Sequence, residues 1–382
     1  MSDLVQRAHA LAPQIIAARP AMERDRHLPA DLSAAFRDAG LYRLCIPKQF
    51  NGLEADPRTL METLEALAET DASAAWCAMI SAVTGALAAY LDEDVAREIF
   101  ADPQSIAAGV YAPMGKATLE GGEYHFSGHW KWCSGGHNAT WLSGGCLILE
   151  NGAPRMLANG LPDQRMMLFP ASQARLIDTW HTTGLRGTGS GDMAVDSLSI
   201  PQSHSVSLIT DSPRIKSPLY LFPMFGLLAL GIAAVASGNI RAALREFADL
   251  ASSKRLPTGR FLSERAAIQS AYADANARFN AARALLLQEI ESCWREAQSG
   301  TAISLQARAA LRLACTHITR TAADIARTLQ DLAGGAAVFV DHPLHRRAAD
   351  AQTMTAHIMI APPTYELTGR TLLGVPVSAA EL

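Results

Sequence analysis

The feature that most constrains the fold of this chain is a change in sequence period that occurs twice along it. Up to about residue 100 and again beyond about residue 213, apolar side chains recur every three or four residues, which predicts amphipathic helices. Between these parts, alternating runs such as TWLSGGCLIL are separated by glycine turns, which is typical of strands. We therefore expect a mostly α-helical protein with a central β-domain.

These changes divide the chain into three predicted parts: a helical domain over 1–100, a β-domain over 101–212 and a helical bundle over 213–382. One stretch of the last part, Leu219 to Ala236, has no charged residue and approaches the length of a membrane span. Proline and glycine interrupt it, and small residues dominate. We favour a helix buried inside a large helical core over a membrane segment.

Charge and cysteine usage exclude several classes of protein. The chain has 382 residues and a formal net charge of -4, which offers no general attraction to nucleic acid or anionic membranes. Its six cysteines include no CxxC pair, and its eleven histidines show no metal-ligand spacing, so we expect no metal and no disulfide framework. The N-terminus has no apolar signal core, and we expect a cytoplasmic protein.

The motifs of the common catalytic machineries are absent from the sequence. No GxGxxG opens a helix after a strand, and there is no Walker A, HExxH or GxSxG motif. A bound organic cofactor would therefore have to supply the reactive chemistry.

Several segments together resemble the acyl-CoA dehydrogenase superfamily. They are GLYRLCIPKQFNG, GEYHFSGHWKWCSGGHNATW, DTWHTTGLRGTGSGDMAVDSLSIP and LAGGAAVF. The resemblance covers nearly the whole chain. It implies an acyl-CoA dehydrogenase-like fold with an N-terminal helical domain, a middle β-barrel-like domain and a C-terminal four-helix bundle. It also implies a homotetramer, which is common in this superfamily.

The segment WKWCSGG carries the first candidate flavin contacts. Trp132 and Ser134 are two residues apart, which on a strand places them on one face. A tryptophan can pack on the flat flavin ring while a hydroxyl reaches its N5 edge. By resemblance, Ser134 is the neighbour of N5 and a catalytic residue, and Trp132 is the wall beside it. The alternative is ordinary strand packing for Trp132 and a turn serine at 134.

Four further residues are candidate cofactor contacts. Thr188 and Ser190, in GLRGTGSGD, offer hydroxyls in a glycine-rich turn that could meet a polar edge, or the turn is simply a hairpin. By resemblance, Arg255 and Gln269 hold the pyrophosphate of FAD, although either also suits a solvated helix face. Resemblance further implies a fifth cofactor contact, at either Gln330 or Asp331.

The chain departs from the dehydrogenases at their catalytic base. By resemblance, His357 lies within one residue of the position at which those dehydrogenases have their catalytic glutamate. The nearest glutamate in this chain, Glu366, lies about nine residues further on. The acid–glycine–serine loop of the dehydrogenases is also missing. In both of these features the chain resembles the two-component flavin monooxygenases, which have the same fold. In that branch a histidine near the C-terminus faces the substrate, which implies that His357 is catalytic and substrate-binding; Tyr111 is a second candidate for the substrate pocket.

The resemblance implies a monooxygenase that hydroxylates a small aromatic or heteroaromatic compound. Reduced FAD or FMN would come from a separate flavin reductase, and oxygen would react to give a flavin C4a-hydroperoxide. A neutral histidine could donate a hydrogen bond to that species or accept one from the substrate. One alternative is an acyl-CoA dehydrogenase or flavin oxidase that uses Glu366 as a displaced base. A second is a non-catalytic helical assembly protein.

Overall fold

Helices dominate both ends of the protein in a computed structural model, which describes residues 2–379 and 381–382. Twelve α-helices occur in this described part. They are α1 Asp3–Ala10, α2 Ala12–Asp25, α3 Ala30–Asp38, α4 Pro57–Thr70, α5 Ala72–Thr84, α6 Glu93–Phe100, α7 Pro218–Leu221, α8 Met224–Ser253, α9 Ala266–Gln298, α10 Leu305–Ala333, α11 Pro343–Met354 and α12 Pro363–Leu372.

A single mixed sheet lies between the two helical parts. Its strands are β1 Ala107–Glu120, β2 Glu123–Trp130, β3 Trp141–Glu150, β4 Ala153–Pro154, β5 Gln164–Pro170, β6 Arg175–Ile177, β7 Asp192–Pro201 and β8 Ser205–Val206. The order is β6-β7-β2-β1-β3-β5-β8, with β4 paired to β3. Strands β1 and β3 are parallel, and the other neighbours are antiparallel. The predicted order of helical, β and helical parts is thus confirmed.

The apolar stretch at the start of the C-terminal part lies inside the protein. Two helical segments, Ala72–Ala89 and Met224–Ser253, are long and apolar enough to cross a membrane, and 100% and 94% of their apolar windows are buried. Helix α8 packs against α4 and α10. Small residues permit this, because a Cβ at Gly238 would lie 2.1 Å from the Glu65 carbonyl oxygen of α4. The stretch is therefore a core helix.

Helix α11 is held in place by a buried arginine. The Arg347 guanidinium donates to the carbonyl oxygens of Ala68, at 3.0 Å, and Glu69, at 2.7 Å, near the end of α4. It also pairs with Glu246 of α8 at 2.9 Å. Charge-assisted bonds of this kind fix geometry strongly when they are buried. The turn that follows α11 consequently has a fixed position beside α5.

Candidate active site

Three hydroxyl groups and one indole N–H form a continuous buried line where α5 meets two loops of the β-domain. Trp76 of α5 donates from Nε1 to Ser134 Oγ at 3.1 Å. Ser134 Oγ lies 2.6 Å from Ser190 Oγ, which lies 2.6 Å from Thr188 Oγ1. Thr188 Oγ1 donates to the Leu185 carbonyl oxygen at 2.8 Å. We call Ser134, Ser190 and Thr188 the hydroxyl chain; three predicted residues are thereby brought together.

The far end of the hydroxyl chain is anchored to α11. Leu185 has a left-handed backbone, with φ of 51°, and its N–H donates to Asp350 Oδ1 at 2.6 Å. Its carbonyl also accepts from Trp180 Nε1 at 2.8 Å. The loop approaches α11 so closely that a Cβ at Gly184 would lie 2.1 Å from the Ala349 carbonyl oxygen. Burial, with Asp71 nearby, raises the pKa of Asp350 to about 7.

Trp132 and Ser134 do not share a strand face, and that prediction is wrong. Strand β2 ends at Trp130, whose ring is fully buried and donates to the Gly145 carbonyl oxygen at 2.7 Å. Pairing with β7 stops there, and the chain then takes a left-handed turn at Trp132, with φ of 68°. As a result the Trp132 side chain is 59% exposed, whereas Ser134 is buried.

His357 lies in the turn after α11 and contacts the same tryptophan as Ser134. Its ring meets Trp76 edge-on, with centroids 5.8 Å apart and an interplanar angle of 62°. The Met359 N–H donates to its Nδ1 at 3.2 Å, and Arg312 holds the Met359 carbonyl oxygen at 3.1 Å. Burial, with a smaller effect of Arg312, lowers the pKa of His357 to about 4. The imidazole is therefore neutral, with its proton on Nε2.

A second group of hydroxyls is buried without hydrogen-bond partners. Ser81 and Thr84 are one turn apart on α5, and the hydroxyls of both, like that of Tyr111, have no partner within the described part of the chain. Tyr111 of β1 lies against Thr84. Burial raises the pKa of the Tyr111 hydroxyl, and the nearby Thr84 hydroxyl partly offsets that rise, although the two hydroxyls do not meet hydrogen-bond geometry. We call Ser81, Thr84 and Tyr111 the open hydroxyl set. Such groups are costly unless a ligand satisfies them.

The predicted pyrophosphate residues lie on the surface, apart from the hydroxyl chain. Arg255 is exposed, donates to the Gly259 carbonyl oxygen at 2.9 Å and stacks over Phe261 at 4.3 Å. Gln269 is exposed and donates to the Ser263 carbonyl oxygen at 3.0 Å. Their role in holding a pyrophosphate stays a prediction.

Two other predicted features also lie elsewhere. Glu366 is exposed in the first turn of α12 and has no contact with the hydroxyl chain among the described residues, so the geometry gives it no role as a base. Gln330 lines a separate cavity of about 390 Å³ at the end of α10, together with Asp331 and His345.

Sequence reasoning missed Trp76, which contacts both Ser134 of the hydroxyl chain and His357. The available signal was an indole within the otherwise small-residue segment DASAAWCAM. A buried indole N–H needs an acceptor. Because Ser134 is 58 positions away, its identity as that acceptor required the fold.

These features fit a flavin. Its ring has flat apolar faces and a polar N5 edge. Trp132 offers an exposed flat side chain on a left-handed backbone, a conformation that costs of order 1–3 kcal/mol and is retained mainly at functional sites. Ser134, beside it in the chain, ends the line of buried hydroxyls. The hydroxyl of Ser134 thus suits the polar edge of the flavin ring, and the indole of Trp132 suits its flat face.

Comparison with known families and proteins agrees with this assignment. Residues 2–101 match the model for the acyl-CoA dehydrogenase N-terminal domain, and residues 230–362 match that for the C-terminal domain. Indole-3-acetate monooxygenase of Pseudomonas putida is 33% identical over 355 residues, which cover 92% of this chain and 89% of that protein. The oxygenase component of an FADH2-dependent resorcinol hydroxylase from a Rhizobium species is 27% identical over 360 residues, which cover 88% of this chain and 85% of that protein.

A solved structure shows the same fold. The crystal structure of 3-HSA hydroxylase from Rhodococcus sp. RHA1 superimposes with a TM-score of 0.91 at 23% sequence identity. The match covers 100% of this chain and 99% of that one. The expected acyl-CoA dehydrogenase-like fold is therefore confirmed over its full length.

Proposed function

Since this chain belongs to the acyl-CoA dehydrogenase family and is a flavin-dependent monooxygenase, we propose that it is the oxygenase of a two-component system that hydroxylates a small aromatic compound. A separate reductase would supply reduced flavin, which fits the absence of a nicotinamide motif from the sequence. Molecular oxygen is the second substrate. The two relatives are named for an indole and a dihydroxybenzene, which supports an aromatic ring as the target.

One observation carries this proposal: Trp76 contacts both Ser134 and His357. A reduced flavin bound here would activate molecular oxygen, of which one atom would enter the substrate and the other would leave as water. Trp132 would cover the ring and Ser134 would meet its N5 edge. The shared contact with Trp76 supports a position of the imidazole beside that edge, where flavin, oxygen and substrate must meet.

His357 acts as a neutral hydrogen-bond donor. Its Nδ1 accepts from the Met359 N–H, so its single proton is on Nε2. With a pKa of about 4, it keeps that form throughout the neutral range. A donor of this kind orients an oxygen atom in the pocket without adding a charge to it. It also contributes to excluding water, since it packs edge-on against an indole.

The open hydroxyl set would bind the polar group of the substrate. Helix α5 carries Trp76 in its second turn and Thr84 at its C-terminal end, about 12 Å further along its axis. An aromatic compound placed along this helix would have its ring near His357 and a polar substituent near Thr84 and Tyr111. Because Trp76 and Thr84 are about 12 Å apart along α5, this arrangement supports an aromatic substrate whose hydroxyl, amino or carboxylate group extends away from the ring.

We further propose a homotetramer in a reducing, cytoplasmic compartment. Large apolar side chains are exposed in two C-terminal segments, with Phe339 67% and Leu373 83% exposed, and an assembly would bury such area. All six cysteines are free and buried, which suits a reducing environment. Light scattering of the purified protein would give the number of copies.

The test is incorporation of ¹⁸O₂ into product. The protein, FADH2 and indole-3-acetate or resorcinol are mixed with ¹⁸O₂, and products are analysed by mass spectrometry. We expect one labelled oxygen atom in the product from a compound of this class, and a loss of labelling in His357→Ala. Glu366→Gln, which alters the exposed carboxylate of α12, is the matched control and should label normally. Oxidation of an acyl-CoA that requires Glu366 would contradict the proposal.

A further inference from the structure

The direction of every hydrogen bond in the hydroxyl chain is determined by its last acceptor. A hydroxyl has one proton and two lone pairs. The Leu185 carbonyl oxygen can only accept, so the single proton of Thr188 is committed to it. Because Thr188 and Ser190 are 2.6 Å apart, Ser190 must be the donor in that pair.

The same reasoning determines the state of Ser134. Since the proton of Ser190 points to Thr188, Ser190 accepts from Ser134 in their 2.6 Å contact. The proton of Ser134 therefore points to Ser190, along the hydroxyl chain. One lone pair of Ser134 accepts from Trp76 Nε1, which leaves the other lone pair free. Ser134 can accept a hydrogen bond from a ligand and cannot donate one.

The two redox states of a flavin differ at the atom that Ser134 would meet. In the oxidised ring, N5 has a lone pair and requires a donor. In the reduced ring, N5 carries a hydrogen and requires an acceptor. An acceptor-only hydroxyl therefore forms a hydrogen bond with the reduced ring and faces the oxidised ring lone pair to lone pair, which is unfavourable.

We propose that the hydroxyl chain makes Ser134 an obligate acceptor and thereby selects reduced over oxidised flavin. This inference rests on the proposed function, because it assumes a flavin with N5 at Ser134. The selected state is the one that a reductase delivers. Rejection of the oxidised state would release spent flavin after each turnover for another round of reduction.

The surroundings of Leu185 hold the direction of the chain. Its peptide N–H is bonded to Asp350 and its carbonyl also accepts from Trp180, so the terminal acceptor is positioned from α11 and from its own loop. Reversing the chain would require Thr188 to give up its bond to that carbonyl. One neutral hydrogen bond of this kind corresponds to about a tenfold preference between the two directions.

The experiment is an anaerobic titration of the full-length protein with oxidised FAD and with dithionite-reduced FAD, repeated with FMN. In Thr188→Val, Ser190 loses its acceptor and the proton of Ser134 becomes free to turn into the pocket. We expect the ratio of the two dissociation constants to move towards the oxidised form by about tenfold. For a two-electron couple, this lowers the midpoint potential of the bound flavin by about 30 mV.

Matched variants separate this effect from damage to the fold. Thr188→Ser keeps the hydroxyl and should restore the wild-type ratio. Ser190→Ala breaks the chain at another point and should repeat the Thr188→Val result. Thr319→Val removes an equally buried hydroxyl that donates to the Cys315 carbonyl oxygen in α10, far from the chain in sequence, and should leave the ratio unchanged.

The outcomes distinguish this inference from the function on which it rests. Wild-type protein that binds neither form of either flavin would overturn the proposed function and the inference with it. Wild-type protein that binds flavin, with an unchanged ratio in both Thr188→Val and Ser190→Ala, would overturn the inference alone.

Discussion

Two sets of buried hydroxyls beside α5 differ in one respect. In the hydroxyl chain, Ser134, Ser190 and Thr188 each have partners, and the line ends on a backbone carbonyl. In the open hydroxyl set, the hydroxyls of Thr84 and Tyr111 have no hydrogen-bond partner among the residues that the structure describes. Both sets are shielded from water, so the difference lies in whether the protein itself satisfies them.

This difference separates positioning from binding. A satisfied chain contributes stability and has a single orientation, as the edge of a cofactor site requires. An unsatisfied buried hydroxyl costs roughly 1–3 kcal/mol until a ligand supplies the partner. The protein therefore gives up stability where the substrate is expected and gains it where the flavin is expected.

The largest expected effect comes from removing the donor that packs against Trp76. In His357→Ala, product formation should fall about 100-fold, because general acid–base and hydrogen-bonding residues contribute factors of this size. Affinity for reduced FAD should change by less than about twofold. Product yield and an anaerobic titration measure the two quantities. Partial recovery in His357→Gln, which restores an N–H donor, would sharpen the assignment; near-normal turnover in His357→Ala would refute it.

The pH dependence of stability tests whether that imidazole is neutral. The pKa of His357 is about 4 in the folded protein, below the ordinary value of 6.5. The unfolded chain then binds more protons between these values, so stability falls as the pH is lowered through that window and is insensitive to this residue above it. Relative to His357→Gln, wild-type protein should lose roughly 2 kcal/mol between pH 7 and pH 4 in urea unfolding. Parallel curves for the two proteins would contradict a neutral buried imidazole.

A matched pair of isosteric substitutions tests the comparison itself. Thr188→Val removes a satisfied hydroxyl and should destabilise by about 1–2 kcal/mol, whereas Thr84→Val removes an unsatisfied one and should stabilise by about 1 kcal/mol. Both threonines are buried to the same extent, with 1% exposure. Urea midpoints measured without ligands would show the opposite signs. If both substitutions change the free energy of unfolding in the same direction, the hydroxyl chain and the open hydroxyl set do not differ in whether the protein satisfies them.

The smallest expected effect concerns substrate affinity. Tyr111→Phe should weaken the binding of a polar aromatic substrate by about fivefold, which lies within the range that one neutral hydrogen bond contributes, and should leave the binding of reduced FAD unchanged. Substrate titration by calorimetry measures the first and fluorescence the second. A larger effect on flavin than on substrate would place Tyr111 at the cofactor instead.

The order of helical and β parts could be predicted from the sequence, because each part has its own period over many residues. The roles proposed for Ser134 and His357 were accessible only through resemblance. The strand assignment of Trp132 failed because alternation continues past Trp130, where pairing with β7 stops. The contact of Ser134 with Ser190 joins residues 56 positions apart, and no local pattern encodes it. Nor does a sequence show that Thr84 has no partner, since this depends on all its neighbours.

The central claim is that the hydroxyl chain meets the N5 edge of a reduced flavin beside His357. A crystal structure of the complex prepared anaerobically with reduced FAD tests it most directly. We predict the flavin ring against Trp132, with N5 at about 2.8–3.2 Å from Ser134 Oγ and His357 Nε2 facing the same side of the pocket. A flavin ring bound elsewhere, with no contact between the flavin and Ser134 Oγ, would contradict the account.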